Sequence, residues 1–169
     1  MQSTGGPPES LESLLHSGYR YAISLTHHEA QAEDILQDAW LAVLRAQGPH
    51  TKPYLYTAIR SRFFNINKRE KLVPMTSLDE ISEPAVETQP EDLAIFGRLE
   101  DESLTIALGT LRVVEREMLF LSAVDEFTAK EIATMTGMPR GTVLSLIHRA
   151  RHKMRDWFEK RDRRSNHEK

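Results

Sequence analysis

The chain reads as all-α: two small helical domains joined by an acidic flexible linker, the second containing a helix-turn-helix. Three observations predict this. Apolar residues recur at three- and four-residue steps through most segments, the spacing of one helix face rather than the alternation of a strand. One stretch, "VPMTSLDEISEPAVETQPED" over residues 73–92, has three prolines, many acids and no sustained period, so it reads as a linker. Charge is also segregated: residues 51–72 carry six Lys/Arg against Glu70, residues 139–164 carry nine against three acids, and residues 73–102 hold nine acids against Arg98 alone. The formal net charge of −3 therefore conceals two basic islands flanking an acidic bridge.

Composition narrows the classes. With 169 residues, 40% hydrophobic and 28% charged, the chain matches a globular protein rather than a fibrous or wholly disordered one. It has no cysteine, which excludes disulfides and thiolate metal sites and points to a reducing compartment. Apolar runs are far too short for a membrane span, and the start "MQSTGGPPES" lacks the layout of a signal peptide, so a cytoplasmic location without membrane insertion is expected. No phosphate-cradling glycine loop, zinc-protease helix or nucleophile elbow is present; neither enzymatic activity nor a cofactor is expected. His148 and His152 stand four apart on one helix face, but with no third ligand nearby they read as DNA-facing or solvated, and no metal site is assigned.

Taken in order, residues 1–9, with Gly-Gly-Pro-Pro, read as a disordered tail. "LESLLHSGYRYAISLT" and "HEAQAEDILQDAWLAVLRAQG" are helical, the second stopping at Gly48-Pro49. "KPYLYTAIRSRFFNINKREK" is a third helix with proline near its start, where a missing N–H costs nothing. These make a first domain over residues 10–72. Beyond the linker, "LAIFGRLEDESLTIALGTL", "VVEREMLFLSAV", "TAKEIATMTG" and "RGTVLSLIHRARHKMRDWFEKR" make a second over 93–162, and residues 163–169 read as a frayed end.

The last two segments carry the most specific pattern. A helix-turn-helix needs a small residue where the helices cross, a glycine to turn with positive φ, and a β-branched or apolar residue to seat the second helix. Ala133, Gly137 and Val143 supply these, with Ile132 and Met138 as core contacts. Packing for stability alone would explain the pair, but not the basic residues that follow. At 100° per residue Val143, Ile147, Ala150 and Met154 share the buried face, Leu146 lies near its edge, and Arg140, Thr142, Ser145, His148, Arg149 and His152 spread over the other side. Leu144 falls outside the buried face; a satellite core contact and a contact with a thymine methyl are equally good readings.

Residues 107–157 resemble the promoter-recognition domain of the extracytoplasmic-function (ECF) sigma factors of bacterial RNA polymerase. The family pattern has a "L-x-x-L-P" opening, a "Y-x-E-I-A" first helix and "G-T-V-K-S-R-x-x-R-A-R" in the recognition helix. Glu131-Ile132-Ala133, Gly141-Thr142-Val143, Ser145 and Arg149-Ala150-Arg151 match. Leu144 and Leu146 replace the customary basic residues, and Arg112 stands where proline is common. The resemblance implies that Ser145, His148 and Arg149 face the upstream promoter duplex, with Arg140, Thr142 and Arg151 nearer phosphates.

The first domain resembles the same family independently. In "AEDILQDAWLAVLRA" the face of Ile35, Leu36, Ala39, Trp40 and Val43 reads as buried, leaving a leucine among the polar residues opposite. The stretch is similar to "A-E-D-L-V-Q-E-x-F-L", which implies docking of Asp34, Gln37, Asp38 and Leu41 on the clamp helices of the polymerase's largest subunit, the flap being a further contact for the family. "PYLYTAIRSRFFNINKREK" interleaves rings and cations, as single-stranded DNA requires. It resembles "W-L-Y-x-I-A-R-N-x-x-x-D-x-x-R-R": Tyr54 takes the tryptophan position, Arg60 matches, Ser61 replaces asparagine and Asn65 aspartate, with Lys68 and Arg69 at the basic end. The implied role is capture of the melted strand, with the loop "GPHTK" as the pocket for a flipped base. Tyr56, Phe63 and Phe64 read as core.

The resemblance spans roughly residues 10–160 and implies core RNA polymerase, promoter DNA and an anti-sigma factor as partners. Two alternatives stay open on the sequence: a sigma-like decoy that binds an anti-sigma factor, and a plain helix-turn-helix regulator, which would have no need of the first domain.

Overall fold

The computed structural model describes residues 9–71 and 102–167, and within these all side chains except those of residues 67 and 69–71. The expected linker, residues 73–92, and the first residues assigned to the second domain, 93–101, lie outside the described residues, as do residues 1–8 of the tail.

Seven helices and no strand are present among the described residues. Helix α1 (Leu11–Thr26) starts at Ser10, whose side chain accepts from the Ser13 N–H, and ends at His27 in the left-handed region (φ 54°). Helix α2 (Glu29–Arg45) begins two residues later, so the α1–α2 turn is very tight. The reversal after α2 is made by Gln47 (φ 51°) rather than by Gly48. Helix α3 (Lys52–Lys71) completes the first half. Leu14, Ala22, Leu25, Ile35, Ala39, Val43, Leu55 and Ile59 fill the space between these three helices. Leu36 and Trp40, expected inside, are half-buried at the rim.

The second half has α4 (Glu102–Gly109), α5 (Val113–Ala123), α6 (Ala129–Thr136) and α7 (Arg140–His167). In the α6–α7 unit, Thr128 and Glu131 close a reciprocal cap: the Thr128 hydroxyl accepts from the Glu131 N–H, and the Glu131 carboxylate accepts from the Thr128 N–H at 2.7 Å. Gly137 turns at φ 72°, and Ile132, Met138 and Val143 are buried beneath the turn. Helix α7 continues to His167, so residues 163–167 are helical and not the frayed end expected. Charge supports the extension, with Arg163 and Glu159 one turn apart at 3.9 Å.

The two halves do not stand apart. One hydrophobic cluster contains Tyr21, Tyr56, Ile59 and Phe63 from the first and Val114, Met118, Phe120, Leu121, Ile132 and Val143 from the second. Tyr21 and Tyr56 stack with ring centroids 4.3 Å apart, and Phe120 and Phe127 pack on them from the other half at 6.1 and 6.3 Å. A smaller cluster of Leu108, Leu111 and Ala150, joined by Met154, fastens α4 to α7.

Three consecutive charged residues of α5, Glu115, Arg116 and Glu117, are all buried. Each meets a different neighbour. Glu115 receives Lys153 of α7 at 2.8 and 2.9 Å. Arg116 donates to the carbonyls of Ser24 (2.7 Å) and Leu25 (3.4 Å), satisfying groups that the end of α1 leaves without helical partners. Glu117 accepts from the Tyr21 hydroxyl at 2.6 Å and from Arg60 Nε at 2.8 Å. Two of the three therefore bind the halves together.

Candidate functional site

The implied polymerase-docking residues Asp34, Gln37, Asp38 and Leu41 all lie on the outer side of α2. Leu41 is 46% exposed, and Leu44, one turn on and 45% exposed, extends the apolar spot. The sequence reading does not include Leu44, although its spacing of three from Leu41 puts both on one helix face. Neither leucine is held by the core, so the patch is available to a partner.

On α3, Tyr54, Ser61, Asn65 and Lys68 are exposed, and their steps of seven, four and three place them along one stripe. The Asn65 side-chain amide approaches the Ser61 hydroxyl at 3.5 Å. Tyr54 lies against the preceding loop so closely that a Cβ on Gly48 would overlap its ring. In the same loop His50 packs on Trp40, ring centroids 4.9 Å apart. The loop "GPHTK" is therefore pinned by aromatic rings, with an exposed tyrosine at its mouth.

Arg60 departs from that stripe. About a third of a turn away, its side chain is mostly buried, ion-paired to Glu117, hydrogen-bonded to the Thr136 carbonyl at 3.4 Å and set over the Phe64 ring at 4.5 Å. The structure thus brings Tyr54, Ser61, Asn65 and Lys68 together and turns Arg60 towards the other half of the molecule. Of Arg69, only the helical backbone is described.

Glu117 is fully buried, and its Oε2 has no hydrogen-bond partner. Beside it, burial above all, and then the carboxylate's charge, push the Tyr21 hydroxyl well above its ordinary range. Burial and Asp125 do the same to Tyr56, which donates to Asp125 at 2.7 Å. Both phenols therefore remain protonated donors at neutral pH. Lys52 adds a further link to Asp125 at 3.7 Å. The halves are joined by a polar seam, Tyr21–Glu117–Arg60 and Tyr56–Asp125–Lys52, laid beside the apolar one. None of Tyr21, Asp125 and Glu117 stands out in the sequence, because the pairings join residues 57 to 96 positions apart.

On α7, Arg140, Thr142, Ser145, His148, Arg149 and Arg151 are all exposed, while Val143, Ile147 and Ala150 are buried. The two departures in the recognition helix separate cleanly. Leu146 is core (7% exposed), and Leu144 is surface (43% exposed). An open cleft of about 440 Å³ lies along the first turns of α7, lined by Gly141, Thr142, Ser145 and Arg149 together with Arg112, which precedes α5.

The family description "Sigma-70, region 4" matches residues 102–154, the whole of α4 to α6 and the first half of α7. The ECF RNA polymerase sigma factor SigE of Mycolicibacterium smegmatis is 29% identical over 148 residues, covering 84% of this chain and 57% of SigE. EcfG of Rhodopseudomonas palustris is 28% identical over 139 residues, covering 79% of this chain and 75% of EcfG. Among solved structures, the sigma factor RpoE from Bartonella quintana, crystallised with the anti-sigma factor NepR, matches at a TM-score of 0.64 and 25% identity, covering 88% of this chain and 94% of RpoE. These relatives take in both halves, in order. The chain is similar to ECF-type sigma factors along most of its length. It spans little more than half of the first of these relatives. Sigma factors of this type are DNA-binding transcription initiation factors, and among the described residues no helix is long and apolar enough to cross a membrane.

Proposed function

We propose that the chain is an alternative sigma factor that docks on core RNA polymerase through α2, handles the melted promoter strand with α3 and reads the upstream promoter duplex with α7. The observation that carries this reading is the presence in one chain, in order, of three outward faces that the fold does not need: Asp34, Gln37, Asp38 and Leu41; Tyr54, Ser61, Asn65 and Lys68; and Arg140, Thr142, Ser145, His148, Arg149 and Arg151. The partners are the clamp helices and flap of the polymerase and promoter DNA. An anti-sigma factor is the expected antagonist, the kind of partner with which the Bartonella RpoE was crystallised. The protein acts in the cytoplasm as a transcription factor and not as an enzyme.

Arg60 belongs to the strand-handling segment by resemblance yet is engaged by Glu117. The compact arrangement is thus the resting form, and strand capture requires α3 to release α5. Leu146 being core removes half of the motive for a decoy, since only Leu144 departs from the family on the DNA-facing surface.

Run-off transcription with core polymerase on a genomic promoter library tests the reading. Transcripts that depend on this chain are expected. A chain that binds DNA but recruits no core is a plain regulator, and one that captures an anti-sigma factor but never competes for core is a decoy.

Within an active holoenzyme, Tyr54→Ala should leave the closed complex intact and slow opening, because stacking on one base is worth about 1–3 kcal/mol. Gly48→Ala should produce a milder form of the same defect by displacing the Tyr54 ring. Unchanged permanganate reactivity in both variants removes Tyr54 from the melting site.

A further inference from the structure

We propose that Arg112 is a further cationic DNA contact of this chain, holding a phosphate of the duplex from outside the helix-turn-helix and making up for the charge that the recognition helix lacks at Leu144. The inference rests on the reading of α7 as the duplex-binding helix, and it goes further by assigning a residue that the helix-turn-helix does not contain.

Position decides first. Arg112 immediately precedes α5 and lines the same open cleft as Thr142, Ser145 and Arg149. Those three stand at steps of three and four on α7, so they form one stripe bordering the cleft that Arg112 shares. The cleft therefore gathers two guanidinium groups and two hydroxyls, the donors that fix phosphate oxygens, from two separate parts of the chain. Gly141 at its mouth adds no side chain, and nothing lies within 4 Å of where a Cβ would be.

Charge is the second argument. The nearest acid in sequence, Glu115, does not neutralise the cleft. Its carboxylate is taken by Lys153 at 2.8 and 2.9 Å and by the backbone N–H of Arg112 at 3.0 Å. Only the backbone of Arg112 takes part in capping α5, since a guanidinium has no acceptor to offer the helix. The fold thus uses the main chain of Arg112 and leaves its cation to the cleft. Leu144 is exposed on α7, so the cation missing there is a loss to the surface, whereas Leu146 is buried. The family's common proline at position 112 could carry no charge at all.

Anisotropy of the full chain with a labelled duplex of mixed sequence, titrated with salt, tests this. The six polar residues of α7 are open in the compact arrangement, so no partner is needed. Arg112→Gln should weaken binding evenly across sequences and lower the slope of log affinity against log salt by about one, as expected when one phosphate is no longer neutralised. Arg112→Lys should restore the slope, which a purely structural role of Arg112 would not require. Equal affinity and slope for Arg112→Gln and the parent, with Arg149→Ala weakened, overturns the assignment and leaves the sigma-factor reading standing. If the parent itself binds no duplex at low salt, the duplex-binding reading of α7 fails and takes the Arg112 assignment with it.

Discussion

Replacing Glu117 with alanine is expected to open the molecule. Glu117 is wholly buried and supplies the acceptor for both Tyr21 and Arg60, so its loss strands a hydroxyl and a guanidinium at the junction of the halves. Removing one partner of a buried ion pair costs about 3–5 kcal/mol where the other stays buried. Arg60 escapes that cost if α3 and α5 separate, because its side chain lies near the edge of the interface and returns to water. Small-angle scattering should show a larger radius, and the free chain should bind single-stranded promoter DNA better once Arg60 is released. Glu117→Gln keeps the accepting oxygen without the charge and should fall between the two. Arg60→Gln should also loosen the compact form but without the gain in strand binding, which separates opening from general destabilisation. An unchanged radius and unchanged strand binding in Glu117→Ala would show that the seam does not govern the halves.

The seam should also respond to alkali. The Tyr21 and Tyr56 hydroxyls are raised above their ordinary values in the folded chain, so each contributes stability that is fully present below the ordinary phenol value and is lost as pH climbs towards the folded one. Neither phenol titrates near neutrality, so loss of a proton from this pair does not open the molecule there.

The second large effect is expected on α2. The double substitution Gln37→Ala and Leu41→Ala should lower affinity for core polymerase by about 2 kcal/mol or more, roughly 30-fold, if these residues form the centre of the interface. Both side chains point away from the core and support no part of it, so helicity and melting should not change. Adding Leu44→Ala should deepen the loss, because Leu44 continues the same apolar spot. Competition for core by the double variant on equal terms with the parent would move the docking surface elsewhere on the chain.

The sequence by itself determined the helices and the surface stripes. Apolar spacing and Gly137 are signals within a turn or two of where they act, because helix hydrogen bonds and turns are local. The outward-facing residues were legible for the same reason: once the buried face of α7 or α2 is known, the opposite face follows from the helical period. Tertiary structure alone decided which polar residues were not surface. In "VVEREMLFLSAV" three successive charges look solvated, yet each is buried against a different element, Lys153, the end of α1, or Tyr21 and Arg60. No periodicity reveals that, since the cost of burying a charge is repaid only by a partner far away in the chain. Arg60 shows the consequence most plainly. Its motif assigns it to DNA, whereas the fold gives it a carboxylate 57 residues away, because a guanidinium takes the best acceptor that packing brings within reach.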